Sequence, residues 1–408
     1  MILKKVVVLN VFIEIINRFS ILLISLILAK GLTVESFGLY TLMNTTISMG
    51  QTVIDFGSQN FAVKSIIQNK SFIRFRIILT AFKYRIVGFL VWVLFVFIYT
   101  LFSKVDSNFV FYIIWGSIYL FNSDWIFKGL GYILKQTKVF TIFNLIALFV
   151  IYIYFKTQNS LSYEKVIYIV KIFPLLLGSI FLIKKLNDFK YPLIRICKNY
   201  FKNFKFNKAY FVENSYFSLG GILARVYNSS GLLILGVYIS IEEIGILSYS
   251  FLVFTIFSMA RGIIISTLFP YICDLDVMKL KKIITNANFL VLSFYCLILF
   301  TFIIPFLNDF LELLIPSSQP VTPLILSNFN LCFLLIGINC FSFFNISGIQ
   351  SASSGKVFTF LMGIGIIVMI TSLLVLIYLG FASKSLFIAL ILAELFIALT
   401  SYFILWKK

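Results

Sequence analysis

From Val6 onward the chain is a succession of apolar runs, each roughly 18–25 residues long and parted by short polar breaks. No soluble core absorbs so much greasy chain. Hydrophobic residues make up 61% of the 408 and charged residues 12%, against about 25% charged in soluble proteins. Mean hydropathy is +1.04. The runs are too long and too continuous for the ten-residue alternation of membrane strands. The expected class is therefore an all-α integral membrane protein without a sizeable soluble domain. The first run follows Lys4-Lys5, is long, and lacks a small-residue cleavage site. It is expected to be a retained helix and not a signal peptide.

Twelve transmembrane helices are predicted, at about 6–29, 37–63, 80–102, 108–133, 138–156, 165–183, 210–238, 244–270, 284–305, 322–347, 357–379 and 385–406. With that layout most of the 34 Lys and Arg fall on one face, Arg74, Arg76, Lys83 and Arg85 among them, while the other face holds Lys30, Lys104, Lys156, Lys165 and Lys384. The positive-inside rule then puts both termini in the cytoplasm. The net charge of +19 needs no nucleic acid, since this bias and attraction to anionic membrane lipids account for it. A basic, aromatic stretch at 184–209 divides the chain into an N-terminal six-helix half (1–183) and a C-terminal six-helix half (210–408). Six spans per half give both halves one orientation, hence a pseudo-two-fold axis along the membrane normal. The five Cys lack metal or redox spacing, and there is no His. Metal-ligand and His proton-shuttle chemistry are thereby disfavoured, and neither an enzyme nor a cofactor is expected.

An internal repeat supports the two halves. At one constant offset "RFSILLISLILAKGLTVESFG" (18–38) falls on "RVYNSSGLLILGVYISIEEIG" (225–245), so that Arg18 meets Arg225, Thr33 meets Ser240, Glu35 meets Glu242 and Gly38 meets Gly245. Two of these positions are arginines inside apolar helices, and Arg261 is a third. A central Arg facing lipid costs about 2.5–3.5 kcal/mol, so three would cost on the order of 8–10 kcal/mol. They are expected to face a polar interior.

Helical spacing agrees. Asn10, Glu14, Asn17, Arg18 and Ser25 share a stripe on the first helix. Tyr40, Asn44, Ser48, Gln51 and Asp55 do so on the second, and Asn214, Ser218, Gly221, Arg225 and Asn228 on the seventh. These stripes predict a hydrated cavity between the halves. Arg225 and Arg261 have no acidic residue within a turn of their own helices, so the surplus charge calls for an anion. The planar guanidinium fork suits phosphate oxygens and stays protonated. Glu14 can pair with Arg18 at i, i+4. Glu14, Asp55 and Asp124 are also candidates for a coupling cation, H⁺ or Na⁺. Lys171 lies near a helix end, where snorkelling explains it.

Three features resemble the polysaccharide flippases of the MOP superfamily, the O-antigen (Wzx-type) transporters of lipid-linked oligosaccharide. One is the opening pattern of an apolar helix, then "LAKGLTVESFGLYTL", then "IDFGSQNFAVKSI". Another is "FNSDWIFKGLGYILKQ" (121–136), which is similar to that family's Trp-led segment, although Lys128 stands where a Gln is usual. The last is the twelve-helix layout with a basic central loop. The resemblance implies a bacterial inner-membrane protein that moves an undecaprenyl-diphosphate-linked oligosaccharide, an O-antigen or capsule repeat unit, to the outer leaflet by alternating access. Arg18, Arg225 and Arg261 would meet the diphosphate, and polysaccharide polymerase machinery is a further implied partner. The alternative is a MATE-like cation-coupled drug antiporter, in which carboxylates would dominate the cavity. A major-facilitator carrier lacks its Asp-Arg loop here, since residues 64–79 read "KSIIQNKSFIRFRIIL". A polymerase or ligase would need a large outer loop.

Overall fold

The computed structural model describes residues 2–56, 58, 62–68, 71–102, 109–157, 163–188, 208–255, 277–300, 323–341, 345 and 355–407. Arg261 and most of the expected 184–209 linker lie outside these residues. The described residues contain no strand. The helices are α1 (Ile2–Gly31), α2 (Val34–Asp55), α3 (Val63–Gln68), α4 (Ser71–Phe102), α5 (Phe109–Leu120), α6 (Asp124–Gly129), α7 (Ile133–Thr157), α8 (Tyr163–Ile167), α9 (Phe173–Asp188) and α10 (Lys208–Tyr238). A π-turn, Tyr168–Ile172, joins α8 to α9. There follow α11 (241–255), α12 (Val277–Ile298), α13 (Pro323–Phe341), α14 (Gly355–Tyr378) and α15 (Lys384–Lys407).

Six of the described stretches are long and apolar enough to cross a membrane: Phe12–Gly31, Arg76–Phe102, Ile133–Thr157, Lys165–Lys185, Val357–Tyr378 and Lys384–Ile404. A seventh is Leu219–Tyr227 with Ser229–Tyr238, two pieces of α10 bent by 47°. Their outward faces carry fully apolar side chains such as Leu101, Phe149, Phe360 and Phe403. Water would not tolerate such a band, whereas lipid does. The protein is a multi-pass, all-helical membrane protein.

Two of the expected spans are broken. The one drawn at 37–63 stops at Asp55, because Phe56 takes a φ of 40° and turns the chain out of the helix. The one drawn at 108–133 becomes α5 and α6. Asn122 accepts the Asp124 N–H on its side-chain oxygen at 3.2 Å, the local competition by which Asn interrupts a helix. Gly131, at φ 81°, then reverses the chain into α7, a conformation that suits glycine. The stretch 64–79, expected as a loop, is α3 and the first turns of α4.

The chain divides into two compact units, residues 1–24 with 44–225 and residues 25–43 with 226–408. In the first unit α1 and α7 run parallel. Thr137 donates to Asn10 at 3.0 Å and Asn144 donates to Asn17 at 2.8 Å, so both helices advance together. The fully buried Trp92 of α4 packs on Gly50 of α2 and Gly116 of α5. A methyl at either glycine would press on the indole. A second apolar cluster gathers Ile66, Phe82, Trp125, Phe127 and Leu182 around α3 and α6.

In the second unit α13 and α15 also run parallel: Asn328 donates to Ser383, just before α15, at 3.4 Å, Asn339 to Glu394 at 2.6 Å, and Asn345, beyond α13, to Ser401 at 3.3 Å. The repeat is visible here in hydrogen bonds. The Ser36 N–H donates to Thr33 Oγ1 at 3.2 Å, and the Glu243 N–H donates to Ser240 Oγ at 3.2 Å. These are the same N-cap at repeat-related positions, opening α2 and α11. Thr41 Oγ1 bonds back to the Phe37 carbonyl at 2.8 Å, as Ser248 Oγ does to the Ile244 carbonyl at 2.7 Å. Gly38 faces the Ile241 carbonyl and Gly245 faces the Val34 carbonyl. Each is the other's contact transposed by the repeat offset, the signature of a local two-fold.

Candidate functional site

Several arginines and lysines of the first unit sit among apolar helices, and their partners sort Arg85, Arg18, Arg225 and Lys128. Arg85 of α4 is closed. Its side chain is wholly inaccessible. Nη1 donates to Asp55 Oδ1 at 2.8 Å and to Ser58 Oγ at 3.2 Å, and Nη2 donates to the Tyr119 carbonyl at 2.6 Å. Tyr119 in turn donates its hydroxyl to Asp55 Oδ2 at 2.8 Å. The guanidinium therefore spans two helix C-termini, that of α2 at Asp55 and that of α5 at Tyr119, where a cation complements the helix dipole. The charge-bias count used Arg85 only to orient the helices and gave it no partner; the carboxylate at the end of α2 draws its side chain inside. Asp55, in turn, is engaged in an ion pair.

Arg18 and Arg225 are open. Arg18 Nε donates to Glu14 Oε1 at 2.9 Å, and the two side chains are 32% and 31% exposed. Its two Nη groups have no partner among the described residues. Arg225 of α10 directs Nε at the Thr52 hydroxyl of α2 over 3.3 Å, a long bond to a neutral group, and forms no ion pair among the described residues. Lys128 reaches the buried Asp124 at 3.6 Å. Asn17 is engaged with Asn144. Asn44 is half-buried with no partner among the described residues. Asn214 and Asn228 lie on α10, and their side chains are outside the described residues.

Two polar centres escaped sequence reasoning. Arg85 was concealed in the basic run from Arg74 to Arg85. Glu394, buried in α15 and held by the Asn339 amide, is a lone acid in "IALILAELFIALT", and that isolation was the available signal.

The same helices recur in known transporters. The inward-facing multidrug resistance MATE family transporter of the MOP superfamily superposes with a TM-score of 0.71 over 98% of this chain and 97% of that one, at 12% identity. The fold is that of the MATE-like MOP transporters. A MOP superfamily transporter from Pyrococcus furiosus Vc1, described by a reverse polarity of its binding pocket that suggests a different function, has a TM-score of 0.65, 12% identity, and coverage of 99% and 95%. The lipid II flippase MurJ in its inward closed conformation has a TM-score of 0.60, 12% identity, and coverage of 99% and 92%. No protein-family model and no curated protein matches the chain.

Proposed function

We propose that the protein is a flippase for an undecaprenyl-diphosphate-linked oligosaccharide, carrying an O-antigen or capsule repeat unit from the cytoplasmic to the outer leaflet of the bacterial inner membrane. The observation that carries this reading is the pair of open guanidinium groups, Arg18 and Arg225, on membrane helices beside a closed one, Arg85. Charge kept in an apolar protein without a saturating counter-ion is expensive, and a transported anion relieves that cost. Arg binds phosphate oxygens through a planar fork, so a diphosphate is the fitting anion. Arg261 joins them in the full twelve-span arrangement of six plus six helices with both termini cytoplasmic, as the repeat and the charge bias imply. Asn44, Asn214 and Asn228 would line the polar path for the glycan. The likeness to a lipid II flippase and the reverse pocket polarity named for the Pyrococcus protein are compatible with a MOP fold adapted to an anion. The two halves then expose the cationic interior alternately to each side.

The test is genetic. Deleting the gene should abolish surface glycan and leave diphosphate-linked repeat units on the cytoplasmic leaflet. Arg18→Ala and Arg225→Ala alleles should fail to restore it at normal protein levels. Intact surface glycan with altered drug or cation tolerance would favour a second reading, a MATE-like cation-coupled antiporter. The buried Glu394–Asn339 contact, an acid held within a membrane helix, supports that reading, and the likeness to multidrug transporters does so equally.

A further inference from the structure

The repeat sets two arginines in related places and gives them different neighbours. Arg18 corresponds to Arg225, and by the same offset Glu14 corresponds to Gly221. The alignment is secured by the structure, because the turns that follow both helices share their N-caps, their back-bonded hydroxyls and their reciprocal glycine contacts. On α1 the carboxylate one turn before the arginine closes on it at 2.9 Å. On α10 the corresponding position has no side chain. Among the described residues a Cβ built on Gly221 would meet nothing within 4 Å, where the repeat would otherwise place an acid.

We propose that Glu14 is an internal counter-anion that masks Arg18 while the site is empty, and that Arg225, freed of an equivalent acid by Gly221, is the standing receptor for the diphosphate. This rests on the anion-binding reading above. A diphosphate brings several negative oxygens and can take the two Nη groups that Glu14 leaves unbonded, then displace the single Nε contact. When the anion departs, Glu14 closes again and Arg18 is neutralised in place, which favours release over retention. Arg225 has no acid at the corresponding position and no ion pair among the described residues, so its charge stays available to the anion. The arrangement gives one permanent and one switched contact, a division suited to a carrier that must both capture and let go.

The test uses the full chain in nanodiscs of zwitterionic lipid, with calorimetric binding of inorganic pyrophosphate and, separately, of farnesyl diphosphate. Glu14→Gln keeps the shape but removes the charge, and should tighten binding about two- to fivefold, the value of a part-exposed ion pair. Gly221→Glu transplants the mask and should weaken binding about tenfold or more. Gly221→Gln is the steric control and should bind within about twofold of the parent. If Gln at 221 weakens binding as much as Glu does, the effect is one of space and the proposal is overturned. If Arg225→Ala abolishes binding yet Glu14→Gln and Gly221→Glu behave as the parent, masking is refuted and the flippase reading stands. If neither probe binds any variant, the anion-binding reading falls with it. If pyrophosphate follows the predicted pattern and the prenyl compound does not bind, masking holds for a free diphosphate and the lipid-linked substrate is refuted.

Discussion

Arg85 and Arg18 are both arginines in apolar helices, and the structure assigns them opposite consequences on removal. Arg85→Met takes the cation from a pair whose two side chains are 0% and 12% exposed. Stripping one partner from a buried ion pair costs about 3–5 kcal/mol. The Tyr119 carbonyl at the end of α5 loses its donor as well, and an orphaned buried acceptor adds about 1–3 kcal/mol. The sum exceeds about 4 kcal/mol against a net stability of about 5–15 kcal/mol. The variant should therefore accumulate poorly and lose its monodisperse size-exclusion peak at a markedly lower temperature after heating in detergent. Asp55→Asn should do nearly the same, because it strands the guanidinium. The double variant Asp55→Asn with Arg85→Met removes both charges and should recover at least about 2 kcal/mol relative to the sum of the singles. Parent-like melting of Arg85→Met, or a double variant no better than additive, would refute the assignment of Arg85 as the tie between two helix ends.

Arg18→Ala and Arg225→Ala should instead melt within about 1 kcal/mol of the parent, since part-exposed contacts contribute little to folding, while losing complementation of surface glycan. Gly245→Ala and Gly38→Ala should each destabilise the protein by about 1–3 kcal/mol, measured by thermal melting, because the new methyl meets the Val34 or Ile241 carbonyl. Asn17→Leu and Asn144→Leu should each be worse alone than together in a double-mutant cycle, as each single change leaves the other amide without its 2.8 Å partner. Glu394→Leu should cost about 1–3 kcal/mol through loss of the 2.6 Å bond from the Asn339 amide. Glu394→Gln should preserve most of that stability in the same melt.

The fold class was legible because the bilayer admits few solutions. An apolar run long enough to span must satisfy its backbone internally, and a helix does so wherever it starts. Helix ends were less legible. The 37–63 and 108–133 runs are apolar on average, but their breaks fall on short polar stretches, "DFGSQN" (55–60) and "NSD" (122–124), with a positive φ at Phe56 and a side-chain bond from Asn122 at those points. Hydropathy averages over such events. The polar stripe on the first helix was read from spacing, and spacing did not fix its use. Asn10 and Asn17 serve to bind α7, whose Thr137 and Asn144 lie more than a hundred residues away.

The arginines show the same limit from the other side. Local hydropathy does not reveal partners from distant segments, so Arg85 beside Lys83 was counted only toward the charge bias, although its partners, Asp55 and Tyr119, come from other helices. For Arg18 and Arg225 the decisive information was local and therefore readable: an acid at i−4 in one, a glycine at i−4 in the other. What the structure adds is that the acid is bonded and that a side chain at the glycine would meet none of the described residues. A repeat that preserves its arginine, its helix caps and its glycine contacts, and yet exchanges Glu14 for Gly221, has kept what folds the two hairpins alike. It differs at the position that supplies, or withholds, a counter-charge for each guanidinium. That is the pattern expected when two copies of one scaffold take unequal roles in handling a single anion, and Gly221→Glu tests it by making the two copies electrostatically alike again.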